Sequence, residues 1–503
     1  MINPKIKKIL LLIATVMLAL SGLLGMVNPS ANAKAQPTHD NYLKNVKKKG
    51  TLVMGTAPDY PPYEFIGKNN GSSQVYGADI LLGQKIAHDM GVKLKVKSMS
   101  FDSLMVALRT GKIDMIIAGL NKTPQRAKSV DFTNSYYTSG TDLVINKKDK
   151  NKIKSYHDLS GQSVGGQVGS VQYDLAKSQI KNVNLKGMES VDDLVLALKT
   201  GKVSAVPMDA SVAKAYVEHN SGIMQIPAGF SASSGASSDN NAAFSKGAKS
   251  LVASANKTIQ QVQAKHEYTD QFVPQAIKHM TNNKNQSVAN SMWSYKDYFL
   301  KGTEYTIMIS LISVCFGIVL GIIFALMRLS HNWLLHAIAV VYIEFIRGTP
   351  LMVQIMFVYF GLGAVVNVPA LTSGIVAISI NSGAYVAEII RSGITSINVG
   401  QSEASLSLGL SQSQTMRYIV LPQAIKNIWP ALGNEFISLI KNSSLASIIG
   451  VGELMYQMRA VQADTYQGIA PIAVIMIIYF IITFAISRTM KFYEGKMNHG
   501  TNN

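Results

Sequence analysis

The chain has 503 residues, of which 48% are hydrophobic and 15% charged, and its formal net charge is +18. This length predicts more than one domain. The basic balance does not indicate nucleic acid, because basic residues beside apolar segments and lysines on a soluble surface account for it, so we expect no nucleic-acid partner. The single cysteine, Cys315, excludes an internal disulfide and a thiolate metal site.

Residues 1–35 have the pattern of a targeting segment. Lys5, Lys7 and Lys8 precede an apolar run at 9–27, and small residues follow at 31–35. This pattern predicts a signal peptide, or an N-terminal membrane anchor if the segment is not cleaved.

Residues 38–280 have the composition of a soluble domain, and they contain an internal repeat. LMVALRTGKI at 104–113 is matched by LVLALKTGKV at 194–203. Each copy predicts a helix that is closed by a glycine and followed by a short strand, at 115–118 or 205–208. With strand-like runs at 51–55, 93–96, 142–145 and 163–165, the pattern predicts an α/β fold of two lobes with a cleft between them. Lobe 1 is expected at about 40–142 and 230–280, and lobe 2 at about 146–228.

After a linker at 281–300, residues 301–492 are predicted to form an all-α transmembrane domain of about five helices. The expected spans lie at about 305–327, 333–363, 368–390, 418–440 and 469–487. The inner three spans carry ionisable residues, which must face protein or water because lipid cannot solvate them. These are Glu344, Arg347, Glu388, Lys426 and Glu435.

The basic residues beside the spans predict the orientation. Most of them lie at ends that are cytoplasmic if the first span starts outside, whereas the short outer loops hold only Lys441 and Arg459. The cytoplasmic set is Arg328, Arg391, Arg417, Arg488, Lys491 and Lys496. We therefore expect a multi-pass plasma-membrane protein with an extracellular 38–280 domain and a cytoplasmic C-terminus.

Residues 403–422, EASLSLGLSQSQTMRYIVLP, combine Glu403, Ala404, Gly409 and a later IVLP at characteristic spacing. This stretch resembles the cytoplasmic EAA loop of bacterial ABC importer permeases, and we name residues 395–417 the EAA-like loop. The resemblance implies that the loop couples to an ATPase subunit. The alternative is an amphipathic helix that joins two spans, with Gly409 as a helix C-cap.

Four motifs in the soluble domain carry a second resemblance. They are GTAPDYPPYEF (55–65), AGLNKTPQRAKSVDFTNSYY (118–137), VGSVQY (168–173) and VPMDASVA (206–213). The set resembles periplasmic-type solute-binding proteins of the polar amino-acid class, whose fold is a two-lobed clamshell, and IEFIRGTPLMVQ (343–354) is similar to permeases of the same importers. The whole chain resembles fused binding-protein and permease polypeptides of glutamine-type ABC importers.

The resemblance implies ATP-driven import of a polar L-amino acid, with glutamine favoured, across the plasma membrane. A basic amino acid or cystine is the alternative substrate. An amino-acid-gated channel and an exported enzyme on the same clamshell are more remote alternatives. An acid near the position of Ala57 is typical of binders of basic amino acids, so its absence here favours a neutral side chain.

A bound amino acid needs a cation for its carboxylate and an anion for its ammonium, because an unpaired charge in a closed cleft is costly. By resemblance, the carboxylate is bound by Arg126, Asn121, Gly169 and Ser170, the ammonium by Asp209 and Gly119, and the side chain by walls of Tyr60, Phe101, Ala118 and Gln172. Other roles remain open for the two charged residues. Arg126 can cap a turn or pair with Asp131, and Asp209 can cap the helix that follows it. Asn121 departs from the usual serine or threonine.

A nucleotide-binding motif of the form GxxxxGK[ST] does not occur in the sequence. We therefore expect no ATP hydrolysis, no catalytic residues, no metal site and no cofactor in this chain, with ATP and Mg bound by a separate ATPase. One EAA-like loop per chain predicts a homodimer through the permease domain, with two ATPase subunits per transporter.

Overall fold

The computed structural model describes residues 40–69, 72–231, 239–280, 292–362, 368–465 and 467–499. The chain divides into two compact units, Met1–Asn41 and Tyr42–Asn503. The targeting segment predicted at 1–35 lies outside the described residues, as does the part of the linker at 281–291.

Two five-stranded sheets form the N-terminal α/β domain. Their orders are β5-β1-β6-β13-β7 and β10-β9-β11-β8-β12, and a small sheet β2-β3-β4 joins the first. The strands are β1 (Thr51–Thr56), β2 (Asp59–Tyr60), β3 (Glu64–Asn69), β4 (Ser72–Tyr76), β5 (Lys93–Ser98), β6 (Met115–Ile116), β7 (Val130–Thr138), β8 (Thr141–Asn146), β9 (Ser163–Gln167), β10 (Asn184–Met188), β11 (Ala205–Asp209), β12 (Ile223–Pro227) and β13 (Asp239–Ser245). The first sheet is the centre of lobe 1 and the second is the centre of lobe 2.

The chain crosses between the lobes twice. β7 belongs to the first sheet and β8 to the second, and after β12 the chain returns to β13 in the first. In each sheet the early strands pair in parallel, as Val53 with Lys95 and Val164 with Leu185, while a late strand pairs antiparallel. Since carboxyl ends of parallel strands meet at one edge, both lobes turn their strand ends toward the space between them.

Helices cover both sheets of this domain. They are Tyr42–Lys49, Ala78–Asp89, Phe101–Arg109, Pro124–Ala127, Val171–Gln179, Val191–Lys199, Ala210–His219, Lys249–Ala264 and Val273–Met280. The predicted repeat is confirmed: Phe101–Arg109 leads into β6 and Val191–Lys199 into β11. Gly111 (φ +69°) and Gly201 (φ +73°) close the two copies in the left-handed conformation that glycine tolerates best.

The C-terminal part is helical. Its helices are Lys296–Leu329, Trp333–Arg347, Leu351–Met356, Ala370–Thr395, Val399–Ser407, Gln412–Thr415, Leu421–Asn442, Leu454–Thr465 and Ile469–His499. Within the described residues three helices are long and apolar enough to cross a membrane, or four if the pair Trp333–Arg347 and Leu351–Gly361, bent by 105°, is one span. Leu421–Asn442 falls short because Lys426, Asn427 and Glu435 lower its hydropathy, so the fourth predicted span, at 418–440, remains a prediction.

Ionisable residues of the apolar helices contact other parts of the protein. Arg328 pairs with Glu388 at 3.1 Å and with Glu344 at 3.5 Å, and Glu388 also accepts a bond of 2.6 Å from Arg391. Arg347 instead lies over the ring of Tyr385, with 5.5 Å to its centre. These contacts agree with the expectation that such groups face protein.

Candidate functional site

A narrow cavity lies between the two lobes. Lobe 1 lines it with Ala57, Asp59, Tyr60, Glu64, Phe101, Ala118, Gly119 and Asn121, and lobe 2 with Gln167, Ser170, Val171 and Gln172. The structure thus brings seven of the predicted site residues to one cavity, and their roles in binding stay predictions. Three further predicted residues do not line the cavity but are hydrogen-bonded close to it. Arg126 bonds to Asn121 and to Gly169, and Asp209 bonds to Tyr60.

Arg126 lies on a short helix that begins at Pro124. The Thr123 hydroxyl caps this helix by accepting a hydrogen bond of 3.1 Å from the Arg126 N–H. The guanidinium donates to the Asn121 carbonyl at 2.5 Å and, across the cleft, to the Gly169 carbonyl at 2.6 Å. Arg126 therefore forks onto one backbone oxygen from each lobe.

The guanidinium is shielded by the Phe101 ring, whose centre is 5.8 Å away. Burial lowers the pKa of Arg126 to about 10, so the group remains a cation at neutral pH. The alternative pairing with Asp131 is not formed, because Asp131 binds Lys246 at 2.9 Å.

Asp209 ends β11 and lies at the start of Ala210–His219. It caps this helix by accepting from the Ser211 N–H at 2.9 Å, so the capping alternative is realised in the structure. The same oxygen, Oδ1, accepts from the Tyr63 hydroxyl at 2.9 Å and the Ser139 hydroxyl at 2.8 Å. Burial raises the pKa of Asp209 to about 6, which makes this carboxyl sensitive to a nearby positive charge.

Gly119 and Asn121 are held by their own hydrogen bonds. The Gly119 N–H donates to Asp79 at 2.9 Å, and a side chain at this position would begin 3.1 Å from the Tyr60 ring. The Asn121 amide donates to the Asp239 carbonyl at 3.2 Å and to Asn240 at 3.1 Å. Both residues are therefore fixed before any ligand arrives.

The turn at Gly169 and Ser170 differs in detail from the expectation. Ser170 caps Val171–Gln179 by accepting from the Tyr173 N–H at 3.1 Å, which agrees with a helix start at the cleft. Its own N–H, however, is bonded to the Gln167 carbonyl at 3.1 Å, and Gly169 contributes a carbonyl to Arg126. For the Ser170 N–H to donate to a ligand carboxylate, as its expected role would require, this bond to Gln167 has to break.

Several hydrogen bonds join the lobes directly, so the cleft is closed. The Tyr60 hydroxyl accepts from the Asp209 N–H at 3.2 Å. Asp59 of lobe 1 accepts from the Val191 N–H at 2.9 Å and from the Gln167 amide at 3.4 Å, both in lobe 2.

Sequence reasoning did not assign Asp59, Glu64 or Gln167 to the site. Glu64 is fully buried, and neither of its carboxylate oxygens has a hydrogen-bond partner among the described residues. Burial, together with the neighbouring Asp79, raises the pKa of Glu64 well above its usual range. Their positions in the sequence could have indicated that they belong to the site. Glu64 lies in the same motif as Tyr60, and Gln167 is the last residue of a parallel strand.

The EAA-like loop forms a helix, a turn and a second short helix. Gly409 turns the chain with φ +85°, and Ser411 caps Gln412–Thr415 through a capping box with Gln414. The buried Ser405 hydroxyl donates to Thr415 at 2.9 Å and fixes the two helices together. Leu408 is 82% exposed, and Glu403, Ala404, Gly409 and Tyr418 are exposed too.

A second polar cavity lies in the helical domain where the bent pair meets its neighbours. Its lining includes Arg347, Asn381, Tyr385, Glu435 and Lys441. Charged and amide groups thus face a common space inside the helical domain.

Comparisons with known proteins place both parts of the chain. Residues 52–272 match bacterial extracellular solute-binding proteins of family 3, and residues 317–499 match the binding-protein-dependent transport system inner membrane component. The glutamine transport system permease protein GlnP of Escherichia coli (strain K12) is 37% identical over 211 residues, 41% of this chain and 96% of that protein. The chain belongs to the amino-acid ABC importers, with a solute-binding domain fused to a permease.

Two further proteins are similar to parts of this importer. The arginine transport system permease protein ArtQ of Bacillus subtilis (strain 168) is 38% identical over 202 residues, which are 40% of this chain and 92% of that protein. The crystal structure of an amino acid ABC transporter substrate-binding protein from Streptococcus pneumoniae Canada MDR_19A, bound to L-arginine, is 33% identical, covers 48% of this chain and 98% of that chain, and has a TM-score of 0.46. The predicted fold class, a two-lobed α/β domain followed by a helical permease, is confirmed. Both parts are transporter components and not enzymes.

Proposed function

We propose that this importer captures a polar L-amino acid, with glutamine favoured, in the closed cleft and passes it to a homodimeric permease that a separate ATPase drives. The observation that carries the proposal is the placement of opposite charges. Arg126 in lobe 1 is half-buried and Asp209 in lobe 2 is buried, and both are bonded to residues of the same cavity. A zwitterion that pairs with both charges stabilises the closed state, because the two partners come from different lobes.

Glutamine is favoured by the lining of the cavity. Ala57 supplies no carboxylate, and Gln167 and Gln172 supply amides. Burial raises the pKa of Glu64 well above its usual range and so favours the protonated carboxyl, which can donate a hydrogen bond to the amide oxygen of glutamine.

Arginine is the second candidate because two carboxyl groups, Asp59 and Glu64, line the same cavity. A guanidinium beside Glu64 would favour its ionised form and would satisfy oxygens that have no partner among the described residues. The similarity to the arginine permease ArtQ is compatible with this substrate.

Calorimetric titration of the full-length protein with glutamine and arginine distinguishes the two. If glutamine is the substrate, Glu64→Gln keeps its affinity within about threefold, since an amide can replace the neutral acid. If arginine is the substrate, the same change lowers its affinity by about a hundredfold, since the only role of Glu64 is then as an anion. A parent protein that binds neither amino acid contradicts the proposal.

Closure provides an independent test. Asp209→Asn removes the charge that lobe 2 offers to the ammonium, so it lowers the closed fraction at saturating amino acid. Distances between spin labels on the two lobes measure this fraction in the full-length protein. Unchanged closure would contradict the bridging role of Asp209.

The partner and the assembly are also part of the proposal. Exposed Leu408 and Tyr418 on a fixed helix and turn support the EAA-like loop as the ATPase contact, on the cytoplasmic side of the membrane. The polar cavity of the helical domain is a candidate for the translocation path. Cross-linking of detergent-solubilised protein and mass measurement of the complex with its ATPase test for two permeases and two ATPase subunits.

A further inference from the structure

The permease contacts both lobes of the binding domain. On lobe 1, Lys112 donates to the Val368 carbonyl of the permease at 3.1 Å. Gly450 approaches Ser98 so closely that a side chain there would begin 2.1 Å from the Ser98 carbonyl oxygen. On lobe 2, Leu196 packs against Gly468 of the permease. Docking therefore depends on where both lobes lie.

A cavity occupies the point where lobe 1, lobe 2 and the permease meet. Asp59 and Phe101 line it from lobe 1, Glu189 and Asp192 from lobe 2, and Arg459 from the permease. Asp59 and Phe101 also line the cavity of the amino-acid site, so the two cavities share a wall. Arg459 thus lies beside the seam between the lobes and close to the site itself.

Acidic residues from both lobes surround Arg459. Its guanidinium is 3.5 Å from the Glu189 carboxylate, and both side chains are about one-third exposed. Burial raises the pKa of Asp59 to about 6 and also raises the pKa values of Asp192 and Asp193, while the positive charge of Arg459 acts against all three shifts. Arg459 of the permease therefore supplies a positive charge close to Asp59, Asp192 and Asp193, whose ionised forms burial disfavours.

This acidic group exists as a unit only when the lobes are closed. Asp59 belongs to lobe 1, and it is held to lobe 2 by the Val191 N–H at 2.9 Å. Glu189, Asp192 and Asp193 all lie within a few residues of Val191. When the lobes open, this bond breaks, and Asp59 separates from the three lobe 2 carboxyls.

We propose that Arg459 is the residue through which the permease recognises its own binding domain in the closed state, by pairing with the carboxyls that closure brings together at the seam. Arg459 is a specificity residue for docking, and it is not among the residues that line the amino-acid cavity. The inference rests on the proposed function, because closure must be driven by an amino acid.

The test uses full-length protein in lipid nanodiscs with Cys315→Ser and spin labels at Lys177→Cys on lobe 2 and Lys301→Cys on the permease. With a saturating mixture of the protein amino acids, the parent should populate a docked distance. Arg459→Glu should lower the ratio of docked to undocked molecules about tenfold, because attraction becomes repulsion. Arg459→Lys is the matched control, and it should keep the ratio within about threefold.

The reversed pair separates recognition from general damage. Glu189→Arg combined with Arg459→Glu should raise the docked ratio at least about threefold above Arg459→Glu alone. An unchanged ratio in Arg459→Glu, or a reversed pair no better than the single variant, overturns the inference. Amino-acid binding is titrated on the same samples: loss of binding in the parent overturns the proposed function, whereas intact binding with docking indifferent to Arg459 overturns this inference alone.

Discussion

The amino-acid cleft and the EAA-like loop are both functional surfaces, yet they differ in how their polar and apolar groups are satisfied. In the cleft, Arg126 is half-buried, Asp209 is buried, and both already hold partners from both lobes. In the loop, Gly409 has open space around it and Leu408 is 82% exposed. The difference agrees with the proposal that the cleft is completed within the chain, whereas the loop is completed by an ATPase subunit. Substitutions at the two places should therefore separate capture from transport.

The largest expected effect is at Gly409. Its φ of +85° strains any other residue, and an aspartate there also places a charge at the proposed ATPase contact. Gly409→Asp should abolish amino-acid uptake and amino-acid-stimulated ATP hydrolysis in proteoliposomes with the ATPase, while amino-acid affinity stays unchanged. Gly400→Asp, on the first helix of the loop and without this φ, is the control for added charge. Uptake at the parent rate would make the loop an ordinary connector.

Arg126 should have the next largest effect, and on the opposite function. Arg126→Ala removes the guanidinium that is expected to hold the carboxylate, a loss of roughly 2–4 kcal/mol or about a hundredfold in affinity. Isothermal titration measures this loss. Arg109→Ala, an exposed arginine at the end of a helix of the same lobe, should leave the affinity unchanged. Affinity within about threefold of the parent in Arg126→Ala would remove Arg126 from the site.

The pKa of Asp209 predicts how capture depends on pH. Because burial raises this pKa to about 6, the empty cleft holds a proton below that pH, and the proton must leave before an ammonium can pair. Affinity should fall by up to about tenfold per pH unit as pH drops below about 6, and level off above it. Asp209→Asn should reduce this slope. An affinity that is constant from pH 5 to pH 7 would contradict the pairing.

The stability of the unliganded protein should depend on pH in the opposite direction to its affinity for the amino acid. A carboxyl whose pKa rises from 3.8 in the unfolded chain to about 6 in the folded protein stabilises the folded state. This stabilisation is fully present below pH 3.8 and is lost as pH rises through about 6. The thermal stability of the unliganded protein, measured as its Tm, should therefore fall with rising pH over this range because of Asp59 and Asp209, while the affinity for the amino acid improves.

The smallest effects sharpen the comparison most, because the same chemical change is made at both surfaces. Ser170 and Ser411 each cap a helix, one at the cleft and one in the EAA-like loop. Replacing either serine by alanine should cost about 1 kcal/mol locally. Ser170→Ala should weaken amino-acid affinity a few-fold, whereas Ser411→Ala should leave affinity alone and slow uptake. Equal losses of amino-acid affinity in Ser170→Ala and Ser411→Ala would contradict the division of capture and transport between the two surfaces.

The sequence predicted the fold well where local pattern and packing agree. The repeat at 104–113 and 194–203 places its apolar residues at helical spacing and ends each helix on a glycine, and both copies fold in this way. Seven expected site residues, among them Tyr60 and Gln172, lie on one cavity because the strand ends of both lobes converge there.

What the sequence did not predict depends on long-range packing. Glu64 is separated from its neighbour Asp79 by a strand pair, and only the folded sheet brings the two carboxyls together and buries them. The bonds of Asp59 to lobe 2 and the proximity of Arg459 to Glu189 join residues that are more than a hundred positions apart. The fourth predicted span is a weaker case, since Lys426 and Glu435 make Leu421–Asn442 too polar to be assigned by composition.

One consequence follows from the connection between the last helix of the binding domain, Val273–Met280, and Met292 at the start of the permease. Residues 281–291 can span at most about 40 Å even when fully extended. A binding domain joined to its permease by so short a linker has an effective local concentration in the millimolar range at the docking surface. A docking contact with a Kd of about 1 mM, far too weak for a freely diffusing receptor, would then be occupied about half the time. Such weak docking allows the binding domain to dissociate quickly from the permease after it delivers the amino acid. Fast dissociation then does not prevent the domain from docking again, because the linker keeps it nearby.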